Sequence, residues 1–145
     1  MMIRIIIYLF VLLIGDVVLA LIIYYNIIDL KSKLIFLGTY CALFGLLGGI
    51  VNCLRSIYIH FAAKKDWDEK YAVWYYLRPI VSSIMGVVSY IFIKAGLLVF
   101  TAQTAVYSNT STMAYLSFAF LAGYNVHNFL KKIEEVSKAI LGIEP

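Results

Sequence analysis

The chain has 145 residues, 63% of them hydrophobic and 14% charged, with a formal net charge of +4. Soluble domains run nearer about 45–50% apolar and about 25% charged, and a chain this short has no core large enough to hide the surplus. The composition therefore excludes a water-soluble globule and allows one structural unit. The modest positive charge disfavours nucleic acid as a partner and suits anionic lipid headgroups.

Residues 3–25 form the first apolar run, flanked by Arg4. Ile5–Ile14 has the character of a signal-peptide core, and Val18-Leu19-Ala20 resembles a cleavage site. The run continues through Leu21-Ile22-Ile23, however, past the roughly 7–15 residues such a core uses. About 20 residues cross a bilayer, so a transmembrane helix is expected, with Tyr24 and Tyr25 at the far interface. After the polar turn Asn26–Lys33, a second span is expected over 34–59. Cys41 and Cys53 both lie in it, three turns apart, where they read as small buried apolar residues. Gly45 and Gly49 make a GxxxG step, Gly38 and Ala42 a second small-residue step, and Gly86 a small face on the third span. Small residues let helix backbones approach closely; whether the partner helix lies in the same chain is open.

The segment Arg55–Pro79, RSIYIHFAAKKDWDEKYAVWYYLRP, holds five of the twelve Lys and Arg residues and both tryptophans. Residues 60–78 are expected to form a cytoplasmic amphipathic hinge. Lys64, Lys65, Trp67, Lys70, Trp74 and Arg78 would meet lipid or a partner, and Asp66 or Asp68 would cap a short surface helix. Pro79 suits the first turn of a third span over 79–102. The uncharged connection Gln103–Thr112 ends in a possible cap, Ser111 or Thr112. Its Asn109-Thr110-Ser111 sequon matters only in a eukaryotic secretory membrane. A fourth span is expected over 113–130, continuing into an amphipathic C-terminal helix over 126–142.

Four spans put both termini and the hinge on one side. That side carries Arg4, Arg55, Lys64, Lys65, Lys70, Arg78, Lys131, Lys132 and Lys138, against Lys31 and Lys33 opposite. The positive-inside rule then makes the termini cytoplasmic. Intramembrane charge costs roughly 2.5–3.5 kcal/mol on insertion scales. Asp16 and Lys94, each about 20 Å from the cytoplasmic end by helical rise, are expected to pair. Such a pair would serve an ion path or fix helix register; alternatively Lys94 snorkels to the interface. Asn52, Arg55, Asn125, His127 and Asn128 are expected to form a cytoplasmic polar layer, as interhelical hydrogen bonding or as a gate or docking site. Phe129, Ile133, Val136 and Ile140, following Val126, have the spacing of an oligomer seam; the other reading is a tail packed on the hinge or headgroups. Lys131–Glu135 and Glu134–Lys138 are i,i+4 pairs. No enzyme signature is present, and neither a metal nor a cofactor is expected.

Trp74, Tyr75, Arg78 and Pro79, followed by Lys94, Gly96, Leu97 and Leu98, resemble a group of small bacterial four-helix membrane proteins with a W-Y-x-x-R-P segment and a basic residue before Gly-Leu-Leu. The aromatic run Phe118–Tyr124 is also similar. This resemblance brings no catalytic residue. In architecture and size the chain is also similar to membrane components of bacterial anti-phage systems such as the Kiwa type. The expected fold class is all-α: an integral four-helix bundle of a bacterial inner membrane with a cytoplasmic hinge and a C-terminal helical extension. The expected role is a non-enzymatic, homo-oligomeric sensor or scaffold for a cytoplasmic protein, in defence or stress response. The alternative is a homo-oligomeric ion channel or pore-forming effector.

Overall fold

A computed structural model of the protein describes residues 2–25, 32–63, 72–95 and 108–142. The elements are α1 (Met2–Tyr24), α2 (Lys33–Ile57) continuing as a π-helical segment (Tyr58–Ala63), α3 (Ala72–Lys94), α4 (Ser108–Tyr124) and α5 (Val126–Leu141). Among the described residues there is no strand. The first three helices are long and apolar enough to cross a membrane. The 17 residues of α4 reach only about 25 Å at 1.5 Å per residue, short of a hydrocarbon core of about 30 Å.

Large apolar side chains cover the outside of these helices. On α1, Ile3, Ile7, Phe10, Val11, Ile14, Val17, Val18 and Leu21 are exposed, and only Ile5, Leu9, Asp16 and Ile23 are buried. Burying apolar side chains against one another in water would invert that distribution; a lipid solvent accounts for it.

The interior is built on glycine. α2 packs against both α3 and α4, and α3 against α4. A Cβ on Gly45 would lie 2.5 Å from the Ser82 carbonyl oxygen and 2.8 Å from Gly86 Cα. A Cβ on Gly86 would strike the Cys41 carbonyl, one on Gly48 the Phe120 carbonyl, and one on Gly123 the backbone of Gly45. Three helix backbones thus meet at Gly45, Gly86 and Gly123, within one chain. Gly49 faces Ser82 and Pro79, while Gly38 has nothing within 4 Å of a Cβ position. Gly38 is therefore not a packing residue, because it lies near the start of α2, away from this crossing. Above the crossing Cys41, Tyr90 and Ala119 pack together; toward the other end Ile5 and Leu9 of α1 join Ile50, Cys53, Ile57, Ala72 and Tyr75.

The third span starts earlier than expected. Its helix begins at Ala72 and runs through Pro79 without a break. Val73, Leu77, Ile80, Ile84 and Ile91 make one exposed apolar stripe on it, so the aromatic half of the hinge belongs to the membrane helix. A proline inside a membrane helix is tolerated where neighbours pack around it, and Pro79 is fully buried opposite Gly49. Ser111 and Thr112 lie inside α4 instead of capping it. Asp66 and Asp68 fall outside the described residues.

Replacing Gly86 or Gly123 by Ala should cost about 3 kcal/mol or more, at the upper end of overpacking penalties, because backbone blocks the added methyl. Gly38→Ala should be neutral or slightly stabilising. Thermal unfolding in one detergent would check both; equal effects at all three positions would contradict the glycine crossing.

Candidate functional site

The run Gly123-Tyr124-Asn125 ends α4 and opens α5. A helix end leaves carbonyls without intrahelical partners, and in a hydrocarbon environment each must be satisfied by protein. The Leu121 carbonyl accepts from the Asn125 N–H at 2.9 Å, and the Asn125 carbonyl from the Phe129 N–H at 3.0 Å. Asn125 itself leaves helical geometry, with φ −118° and ψ 50°. Two side chains from other helices complete the joint. Ser82 donates its hydroxyl to the Gly123 carbonyl at 2.9 Å, and Asn52 donates Nδ2 to the Tyr124 carbonyl. Arg55 Nη1 donates to the Tyr124 hydroxyl. The Ser56 and Tyr75 hydroxyls, 2.9 Å apart, tie α2 to α3 nearby.

Gly45 faces Gly123, Gly48 faces Phe120 and Tyr124, and Asn52 reaches the Tyr124 carbonyl, so α4 crosses α2 at a slant. Tyr124 and Asn125 thus stand beside the second half of α2, toward Arg55. The fourth apolar segment is interrupted at Asn125, between α4 and α5, and is not the single uninterrupted helix expected over 113–130.

Asn52 and Arg55 do meet on a common partner, but that partner is Tyr124. Asn125, His127 and Asn128 are exposed and take no part. A Gly-Tyr-Asn sequence inside an apolar run was the available signal, since Gly and Asn mark chain reversals and breaks.

Asp16 and Lys94 do not pair. Asp16 is 5% exposed and its Oδ1 has no hydrogen-bond partner, whereas Lys94 is exposed in the last turn of α3. The Tyr8 hydroxyl donates to the Tyr76 carbonyl, which sets α1 and α3 in register. Asp16 then lies level with Ile84, ten residues short of Lys94, or about 15 Å along the helix. The expectation failed because it started α3 at Pro79. The Tyr40 hydroxyl donates to the Ala20 carbonyl, so Asp16 lies level with Phe44, near the middle of α2.

On α5, Val126 and Phe129 are buried within the chain, Phe129 edge-on to Phe118 with ring centroids 6.0 Å apart. Phe129 is thus not a seam residue, because α4 already covers it. Ile133 and Val136 are half-buried, and nothing is described of the Ile140 side chain. Glu134 pairs with Lys138 at 2.8 Å, and Glu135 pairs with Lys132 at 2.7 Å, not with Lys131. The hydrogen bond from Lys138 holds the Glu134 carboxyl below the usual range and lifts Lys138 above its own. Of the hinge residues, Lys64, Lys65, Trp67 and Lys70 lie outside the described residues. The Arg78 guanidinium sits 5.7 Å over the exposed Trp74 ring, with its Nε buried and unpartnered. Among the described residues no group of three or more His, Cys, Asp or Glu comes together.

Comparison with protein-family models, with characterised proteins and with solved structures yields no match for this chain.

Lys94→Met should leave folding yield in membranes unchanged, and Asp16→Leu should raise thermal stability, with the double variant matching Asp16→Leu alone. A Lys94→Met loss repaired by Asp16→Leu would restore the ion pair. Asn52→Leu should cost about 1–3 kcal/mol, since it strands the Tyr124 carbonyl; an unchanged melting temperature would show that the carbonyl has another partner.

Proposed function

We propose that the protein is a non-enzymatic membrane anchor that presents α5 and the basic segment 60–78 to a soluble cytoplasmic protein. The carrying observation is the division of α5. Its first turn is fixed to the bundle through Val126 and Phe129, while Lys131, Lys132, Glu134, Glu135 and Lys138 are exposed beyond it. A strongly amphipathic helix held at one end is suited to partner or headgroup contact. The charge asymmetry of the chain favours cytoplasmic termini in a bacterial inner membrane with four crossings, the fourth using the discontinuous α4–α5 pair. The architectural analogy to anti-phage membrane components favours a partner in defence or stress response.

A second reading has one observation in its favour. A buried carboxyl without a partner at half depth, Asp16, is the kind of group that marks ion pathways, so a homo-oligomeric channel is the alternative.

Two measurements separate them. Affinity capture from intact membranes should recover a soluble protein with the full chain and lose it when the chain stops at Leu130. Purified protein in liposomes should pass no ions. Ion flux that changes with Asp16→Asn, with no α5-dependent capture, would reverse the assignment.

A further inference from the structure

Basic side chains gather at one end of the three apolar helices. The Ser56 and Tyr75 hydroxyls meet at 2.9 Å and Gly49 faces Pro79, so Arg55 and Arg78 stand at the same end of α2 and α3. The Tyr8 hydroxyl donates to the Tyr76 carbonyl, which brings Arg4 of α1 to that end as well. Lys33 opens α2 and Lys94 closes α3 at the other. The rise from Lys33 to Arg55 is about 33 Å, close to a hydrocarbon thickness of about 30 Å, so both sets of charge fall near the bilayer surfaces. Arg78 differs from the other two arginines. Arg4 and Arg55 are exposed, and Arg55 donates to Tyr124. Arg78 is half-buried in the second turn of α3, its Nε enclosed and without a partner. Among the described residues no carboxylate meets it: Asp16 lies level with the middle of α2, and Glu134 and Glu135 hold Lys138 and Lys132. A guanidinium at the edge of the hydrocarbon without a counter-charge is costly. Its carbon sits 5.7 Å over the exposed Trp74 ring. Stacking engages the face of the group and leaves its terminal N–H donors uncommitted.

The geometry points to a site for the phosphate of an anionic phospholipid, held by Arg78 beside Trp74. A guanidinium matches a phosphate with two parallel hydrogen bonds. The indole adds one N–H donor and an amphipathic ring suited to headgroup level. Leu77, Val81 and Met85 continue this side of α3 at spacings of three and four from Trp74 and Arg78, and are exposed or half-buried. They give acyl chains an apolar strip that starts where the headgroup is held. A zwitterionic lipid brings the same phosphate with its own cation attached and leaves Arg78 uncompensated, so charge selects the anionic class. A soluble phosphate would answer the charge and leave the strip unused. The inference rests on α3 crossing the membrane and goes beyond the proposed function. It assigns Trp74 and Arg78 to lipid and leaves α5 and the earlier part of the basic segment to the soluble partner.

The chain has two tryptophans, so Trp67→Phe leaves Trp74 as the single reporter. This full chain is placed in phosphatidylcholine vesicles that contain increasing fractions of acyl-brominated phosphatidylglycerol or, for comparison, of acyl-brominated phosphatidylcholine. Trp74 fluorescence should be quenched at roughly fivefold lower fractions of the phosphatidylglycerol, the preference that one basic residue at the surface supplies. Arg78→Gln should abolish the preference and Arg78→Lys keep part of it. Arg4→Gln, which removes an exposed charge from the same end, should keep it whole. Added inorganic phosphate should leave the quenching unchanged. Equal quenching by the two lipids in the parent, a preference that survives Arg78→Gln, or one lost equally with Arg4→Gln would overturn the site. Relief of quenching by inorganic phosphate would give it to a soluble anion instead. The comparison of lipids in the parent involves no change at Arg78, so it decides the matter even where Arg78→Gln fails to fold. Trp74 fluorescence untouched by either brominated lipid would take α3 out of the bilayer, and the site with it.

Discussion

Backbone contact between glycines holds this protein together. Lipid gives little reason for apolar helices to associate, so close van der Waals approach must supply the attraction. Gly45, Gly86 and Gly123 provide that approach on three helices at one level, with Gly48 and Gly49 extending it toward α4 and α3. The hydrogen bonds nearby depend on it. Ser82 and Asn52 reach the end of α4 because α2 and α3 already stand close beside it. A crossing held at greater distance would leave those carbonyls without these partners.

The discontinuity at Asn125 follows from the same economy. Gly123 is required at the crossing, and a Gly-Tyr-Asn sequence is a weak place to continue a helix. The break persists because α2 and α3 satisfy its inner side. It also sets the direction of α5, which touches α3 and α4 lightly and leaves most of its charged face open. One local event thus ends the buried bundle and begins the polar surface on which the proposed partner contact depends.

Much of this was legible in the residues. The spans over 3–25 and 34–59 lie within a few residues of α1 and α2, because long apolar runs admit one structure in a bilayer. Gly45, Gly49 and Gly86 were identified as packing positions by spacing alone. Pro79 misled because its preference for a helix start is statistical, whereas the continuous stripe from Val73 to Ile91 is a constraint. That seven-residue error in the start of α3 carried directly into the supposed Asp16–Lys94 pair. Tyr124 went unnoticed because its contribution is partly a backbone carbonyl, which no side-chain pattern announces. Asn125, His127 and Asn128 were grouped with Asn52 and Arg55 by depth, without regard to the side of the helix each occupies.

The seat of α1 has a consequence for biosynthesis. Its buried residues Ile5 and Leu9 pack against Ile50, Cys53 and Ile57 from the second half of α2 and Ala72 and Tyr75 from the first turns of α3. None of those residues has reached the bilayer when α1 enters it. The helix made first must wait alone in the bilayer until some fifty to seventy further residues have followed it, while α2 and α3, adjacent in sequence and glycine-matched, zip together as soon as the second of them is inserted.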